Sequence, residues 1–286
     1  MSPQSQATYS RHPARGALAR LAADLWLQEA PAEVAEAAPT VLAPVASVDL
    51  LFTFADRFER LEETGALELP AMHVVGPRTR AMKVRATGRT GLVIARLHPW
   101  AARRLIGDAP EPLVDGHVDI ADVVPASTVA EIMDRIAEAA SSDARIATAA
   151  AWLEDRLGDE PPDPLVVAAA RRISATVGSV TVADLAAGLG ISERQLRRRF
   201  HAAAGLGPKR FARIVRFQAA VGMLRAGRSW GDVVERCGFF DQAHLIGELR
   251  AMADATPPGL QRGATTPLGA YFNSGDSSTP YGTTYL

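Results

Sequence analysis

The 286-residue chain has one cysteine, Cys237. A lone thiol closes no internal disulfide, so the fold has to rest on apolar burial, and the expected compartment is a reducing one. No apolar run approaches the ~18–20 residues of a membrane-spanning helix, and the first residues carry no apolar signal-peptide core. The expectation is a cytoplasmic protein without a membrane partner. Also missing are a phosphate-cradling glycine loop, a dinucleotide-binding glycine pattern and a zinc-ligand cluster. His73 and His98 fall on or beside strand-like stretches, but no third ligand stands at a recognisable spacing, so neither a metal nor another cofactor is expected. Gly227-Arg-Ser-Trp-Gly231 spells the G-x-S-x-G of a nucleophile elbow. That device needs a strand before the serine, and here the preceding pattern is helical. Ser229 is expected instead to cap a helix beginning at Trp230, and no enzymatic activity is expected.

An excess of one charge is missing as well: the formal net charge is −1. The balance hides a division. Residues 163–262 carry 15 Lys+Arg against 8 Asp+Glu, or +7, whereas residues 1–162 carry 16 against 23, or −7. With 48% apolar and 22% charged side chains, the chain is an ordinary globular protein, long enough for two domains. The basic half has the electrostatic footprint of a polyanion binder, and the acidic half should avoid one.

Within the basic half, Val182, Leu185, Ala186 and Leu189 repeat at helical spacing and stop at Gly190, a residue suited to a helix C-terminus. Ser192 opens a second helix, and Gln195 three places on completes a capping box. In that helix Leu196 and Phe200 share one face, while Arg194, Arg197 and Arg198 share another. A short helix, a glycine turn and a second helix, apolar on one side and cationic on the other, make a helix-turn-helix whose second helix, residues 192–204, enters a major groove. Arginine suits that task, since its planar fork binds guanine O6/N7 or a phosphate at two points.

Pro208 at a first helical position starts a further helix running to about Ala226, basic through Lys209, Arg210, Arg213 and Arg216. The opening pattern then returns. Asp184 matches Asp232, Gly190 matches Gly238, Leu196 matches Leu245 and Phe200 matches Leu249. The offset is 48 residues before the turn and 49 after it, and Cys237 falls where Leu189 lies, as a small core residue. Two such units on a helical spacer can occupy successive groove segments roughly 34 Å apart.

Residues 163–262 resemble the DNA-binding domain of the AraC/XylS family of bacterial transcription regulators: both units, the linker helix and the Gly-Phe-x-Asp-Gln-Ala-His run stand in order. The resemblance implies base reading by Arg194, Arg197 and Arg198 in the first unit, and by Gln242, Ala243 and Leu245 to Gly247, near His244, in the second. The full set of DNA contacts expected is Ser192, Arg194, Gln195, Arg197, Arg198, Lys209, Arg210, Arg213, Asp241, Gln242 and His244. Gly247 departs from the family, which often has arginine or serine there, and Glu248 follows it. Met252-Ala-Asp-Ala-Thr-Pro257 lacks the glycine usual before the Thr/Ser-Pro. The first unit is therefore expected to dominate sequence reading and the second mainly to position.

The rest of the chain reads as follows. Residues 1–14 are polar and loose; Leu18, Leu21, Leu25 and Trp26 predict an amphipathic helix ending before Pro31. Residues 48–54, 72–75, 83–85 and 92–97 predict strands, punctuated by Pro70, Gly76-Pro77, Gly88 and Gly91. Helices are predicted from Pro99 to about Ile106, over 127–140 with Thr128 and Glu131 as a capping box, and over 143–157; Gly158 to Pro164 is a linker, with Asp163-Pro164 capping the next helix. The N-terminal half resembles, through Val48-Asp-Leu-Leu-Phe, Val75-Gly-Pro-Arg-Thr-Arg80 and Arg96-Leu-His-Pro-Trp100, the sensory domain of a subfamily of AraC-like regulators. The fold class expected is α+β: a β-rich sensory and dimerisation domain over 1–160 with flanking helices, an all-α DNA-binding domain over 163–262, and a flexible Gly/Ser/Thr-rich tail over 263–286. The resemblance implies a sequence-specific regulator of transcription. Its partners are double-stranded DNA, a small-molecule effector, a second copy of the chain, and RNA polymerase if it activates. The alternatives are an N-terminal enzyme addressed to DNA, and a basic module that binds an acidic protein.

Overall fold

The computed structural model describes residues 7–35, 39–107 and 113–253. The N-terminal region is built on two antiparallel sheets. The larger takes β1 (Thr8–Pro13), β2 (Ala22–Ala30), β4 (Val48–Thr53), β7 (Met72–Val75), β9 (Thr90–Leu97) and β10 (His117–Asp119), in the order β1-β2-β9-β4-β7-β10. The smaller takes β3 (Thr40–Leu42), β5 (Phe58–Glu62), β6 (Gly65–Glu68) and β8 (Met82–Ala86), in the order β3-β8-β5-β6. A short helix α1 (Ala32–Ala35) follows β2, and a 3-10 turn at Pro99–Ala101 leads into α2 (Ala102–Ile106). Helices then take over: α3 (Ala126–Ala137), α4 (Ser142–Leu157), α5 (Pro164–Ala175), α6 (Val182–Gly188), α7 (Glu193–Ala204), α8 (Pro208–Arg225), α9 (Trp230–Cys237) and α10 (Gln242–Ala253).

Alternation along the strands decides how the layers pack. Leu51, Val75, Leu92 and Ile94 of the large sheet point at Leu42, Phe58 and Val84 of the small one, closing a core between the sheets. Leu25, Leu27, Leu50, Phe52, Val74, Val93 and Ala95 point the other way, into a core shared with Ile146, Ala149 and Leu153 of α4. The Phe52 and Trp152 rings meet edge to face there at 5.9 Å. This second core takes in residues from Leu18 to Ala253, so the large sheet and the later helices share one apolar cluster.

The three stretches that carry the N-terminal resemblance meet at one buried point. Asp49 stands between Arg96, whose Nε donates to its Oδ1 at 3.1 Å, and Arg78, whose Nη1 lies 3.8 Å from Oδ2. None of the three is more than 5% exposed. Arg78 also donates from Nε to the Ala43 carbonyl, and the Trp100 indole donates to the Arg20 carbonyl.

Several expectations are corrected. Leu18 to Trp26 is no helix: after a 3-10 turn at Leu18–Arg20 the chain becomes β2, hydrogen-bonded on both sides to β1 and β9. Leu18, Leu21 and Leu25 do stand at helical spacing, but Leu25 and Leu27 alternate with Asp24, Trp26 and Gln28. The strand is masked because both its faces are covered and one of them carries the polar Asp24 and Gln28. Asp24 is buried with Arg11 at 2.8 Å and the Trp26 indole at 2.9 Å, which offset the cost of burying it. Residues 8–13 are not loose either, since they form β1. Helix α3 starts at Ala126 behind Pro125, so Thr128 lies inside it and makes no capping box. The strands expected at 48–54, 72–75, 83–85 and 92–97 appear as β4, β7, β8 and β9, and the helix after Pro99 forms. Asp163 caps α5 by accepting from Leu165 N–H at 2.9 Å, with Pro164 at its first position. The tail expected over 263–286, with residues 254–262, lies outside the described residues.

Candidate nucleic-acid interface

The first helix-turn-helix is set by local chemistry. Thr181 caps α6 by accepting from Asp184 N–H, and Gly190 turns the chain at φ +67°, the left-handed region that glycine enters at no steric cost. Ser192 and Gln195 then form a reciprocal capping box: Gln195 N–H donates to Ser192 Oγ at 3.2 Å, and Ser192 N–H donates to Gln195 Oε1 at 3.0 Å. Leu196 and Phe200 are fully buried, the latter edge to face with Phe211 of α8 at 5.2 Å. That burial fixes the rotation of α7, and Arg194, Arg197 and Arg198 emerge exposed on the outer side. Arg197 pairs with Glu193 one turn earlier, and Arg199 ties the back of α7 to Asp163 at 3.1 Å. Among the described residues, Arg194, Arg198, Lys209 and Arg210 form no ion pair.

The second unit repeats this plan. Ser229 caps α9 by accepting from Asp232 N–H at 3.1 Å, with helix α8 and no strand before it. Gly238 turns at φ +67°, and Asp241 accepts from His244 N–H at 2.7 Å at the start of α10. The His244 ring faces Phe239 edge on at 5.4 Å and accepts the Phe240 N–H at Nδ1. Leu245 and Leu249 are fully buried. Leu245 is thereby corrected as a base-reading position: it packs in the core, as its match Leu196 does. Gln242 and Ala243 are exposed, and Gly247 adds no side chain.

Of the residues expected to meet DNA, Arg194, Arg197, Arg198 and Ser192–Gln195 gather on α7, Asp241, Gln242 and His244 on α10, and Lys209, Arg210 and Arg213 on α8. Arg213 is committed within the fold. Its Nε and Nη2 reach the two carboxylate oxygens of Glu248 at 2.7 and 3.2 Å, a two-point bridge from α8 to α10. The carboxylate that stood out in the sequence is neutralised by this bridge. The residues missed in the sequence are Phe240, 90% exposed, and the half-buried Asp115. Phe240 had a signal, since it sits where the repeat offset changes from 48 to 49. Asp115 had none, because only the fold brings it to the first unit. There Val114 and Asp115 line a cleft of about 520 Å³ with Arg197, His201 and residues 205–210. Asp115 is held by Thr79, which donates to its two carboxylate oxygens from N–H at 2.7 Å and from its hydroxyl at 2.5 Å.

The candidate histidines and the cysteine are accounted for structurally. Burial lowers the His73 pKa to about 4, and its Nδ1 donates to the Pro70 carbonyl at 2.7 Å. Burial likewise lowers His98 to about 4, with its ring stacked on Trp100. Among the described residues, no three His, Cys, Asp or Glu side chains gather as a metal set. Cys237 is buried, and desolvation pushes its thiol up to about 11, away from the thiolate that reactive cysteines need. No helix is long and apolar enough to cross a membrane, among the described residues.

Comparison with known proteins gives two family matches. Residues 185–263 match a family described as a helix-turn-helix domain, of the AraC type, and residues 10–119 match one described as a domain of unknown function, DUF6597. No curated protein matches the chain. Among solved structures, ToxT from Vibrio cholerae bound to (E)-4-(8-methylnaphthalen-1-yl)but-3-enoic acid is 8% identical, with 94% of this chain and 99% of that one covered and a TM-score of 0.46. ToxT with an unsaturated fatty acid is 9% identical over 90% and 95%, at 0.43. The AraC-like transcriptional activator CuxR is 14% identical over 80% and 91%, at 0.28. At such distances these likenesses add nothing to the fold already described. The double helix-turn-helix geometry and the family match agree: over residues 185–263 this chain carries a helix-turn-helix domain of the AraC type.

Proposed function

We propose that the chain binds double-stranded DNA at specific sequences, with α7 in the major groove and residues 163–262 as the DNA-binding domain. The observation that carries this reading is the outer face of α7. Capping and burial fix its rotation, and Arg194, Arg197 and Arg198 stand side by side in solvent on the helix that a helix-turn-helix presents to DNA. These arginines discriminate bases, while Lys209 and Arg210 meet phosphates and supply affinity that falls with salt. Ser192, Gln195 and Asp241 act from the helix caps, where their backbone neighbours approach the phosphates. Residues 1–160 form the sensory part, responsive to a small-molecule effector, and pair two copies of the chain, so that recognition covers two operator halves. The continuous core beneath both regions gives the sensory part a physical route to α7.

The test uses duplexes that the protein itself selects from a random-sequence pool. Arg197→Ala is expected to cost about 1–3 kcal/mol and to relax base preference at one position, whereas Lys209→Ala weakens all duplexes alike. Equal loss of preference in the two variants would contradict the assigned roles.

A further inference from the structure

We propose that the second helix-turn-helix reads thymine methyl groups through an apolar face built from Phe240, Ala243 and Ile246. The inference rests on the DNA-binding reading above and extends it to the unit whose sequence offers least for hydrogen bonding.

Three observations converge on it. The first is the register of the repeat. Past the turn, adding 49 to Arg194, Arg197, Arg198 and His201 gives Ala243, Ile246, Gly247 and Arg250. The face that is cationic on α7 is therefore small and apolar on α10, down to Arg250 at its far end. The second is the insertion. Gly190 and Gly238 are both left-handed at φ +67°, and Ile191 and Phe239 both turn inward after them, partly buried and buried respectively. Ser192 and Asp241 then both cap the following helix. The one residue of the second unit without a counterpart is Phe240. It is extruded between the turn and the cap, at the N-terminal end of the helix that carries Ala243, Ile246 and Gly247.

The third observation is exposure. Phe240 is 90% exposed, the most exposed of the large hydrophobic side chains among the described residues, although Phe239 beside it is buried. Its backbone is held, since its N–H donates to His244 Nδ1 at 3.2 Å, so the ring projects from a fixed point. Gln242 and Arg250 are exposed on the same helix and Arg236 on α9, so the apolar face is bordered by groups that suit bases and phosphates. In the major groove the apolar feature to be read is the thymine C5 methyl, met by alanine and phenylalanine side chains. Gly247 lets the helix backbone approach closely. The second unit thus recognises A·T pairs by excluding water from methyl groups rather than by donating hydrogen bonds.

The experiment replaces thymine by uracil, which deletes the methyl and leaves the pairing edge intact. Duplexes selected by the wild-type protein are footprinted, and each thymine in the part protected by the second unit is replaced singly by uracil. Wild-type affinity should fall about three- to tenfold at one or two positions. Phe240→Ala, which removes an exposed side chain and keeps the fold by circular dichroism, should bind more weakly and lose that sensitivity, while keeping the first unit's base preferences. Insensitivity of the wild type to every uracil replacement would overturn the proposal with the regulator reading intact. So would a Phe240→Ala protein with unchanged sensitivity, or one whose only defect is failure to self-associate. A wild-type protein that selects no DNA at all would remove both.

Discussion

At the scale of single residues, the most exacting environment in the molecule is the buried Asp49. Its carboxylate is surrounded by apolar strands and compensated by Arg96 and Arg78, which come from distant stretches of the sequence. Removing one partner of a buried ion cluster leaves the others charged and desolvated, which costs about 3–5 kcal/mol. Asp49→Ala should therefore lower the denaturation midpoint by that equivalent, measured in urea with an unchanged slope. A loss below about 1 kcal/mol would show that water reaches the cluster. The Arg213–Glu248 pair is a different case. Both side chains are partly in solvent, so the bridge orients α10 against α8 more than it stabilises.

At the scale of elements, the helices are held at their ends. Helix α5 closes through Val177 and Gly178, both left-handed, with Gly178 N–H donating to the Ile173 carbonyl at 2.8 Å. Gly178 is pressed onto α8. A Cβ there would stand 2.2 Å from the Ala212 carbonyl oxygen, and Arg216 Nη2 donates to the Gly178 carbonyl. Gly178→Ala is both strained and crowded against backbone, so it should destabilise by about 2 kcal/mol or more. At Gly190, equally left-handed but in open space, the same change should cost about 1 kcal/mol. Thermal melts of the two variants compare them, and equal losses would mean that α5 and α8 separate freely. The ends of elements were also what the sequence made legible. Ser192 with Gln195, Asp163 with Pro164, Ser229, Gly190 and Gly238 each act locally, and each does in the structure what its residue type dictates. The strands were half legible. Strands β4, β7 and β9 are mainly apolar and show as runs, whereas β2 hides Asp24 and Gln28 in the interior, β5 is largely charged, and β6 is short and exposed. No local pattern announces a strand whose polar groups are satisfied by partners elsewhere in the chain.

At the scale of the whole molecule, the two halves that charge separates are joined by packing. One apolar cluster spans both, and a polar contact reinforces it: Ala81 N–H donates to the Met252 carbonyl in the last turn of α10 at 2.7 Å. The loop that bears Ala81 also bears Thr79, which holds Asp115 against the cleft beside Arg197 and Lys209. Neighbouring loops of the N-terminal region thus touch both helix-turn-helix units, a juxtaposition that the order of residues in the chain does not reveal. The cationic face of α7 was readable in the sequence, because helical spacing alone places Arg194, Arg197 and Arg198 side by side. What only the fold could supply was which cations are already engaged and which side chain is extruded.

The central claim is specific recognition of DNA, and the most direct measurement titrates the purified protein against a labelled fragment from upstream of its own gene. The titration is run at several salt concentrations, with and without unlabelled random duplex. Binding should survive the competitor and weaken with salt. Lys209 and Arg210, if each neutralises one phosphate, give a log–log slope of about −2 for each bound chain. Binding that random duplex removes equally well, or no binding at low salt, would contradict the claim.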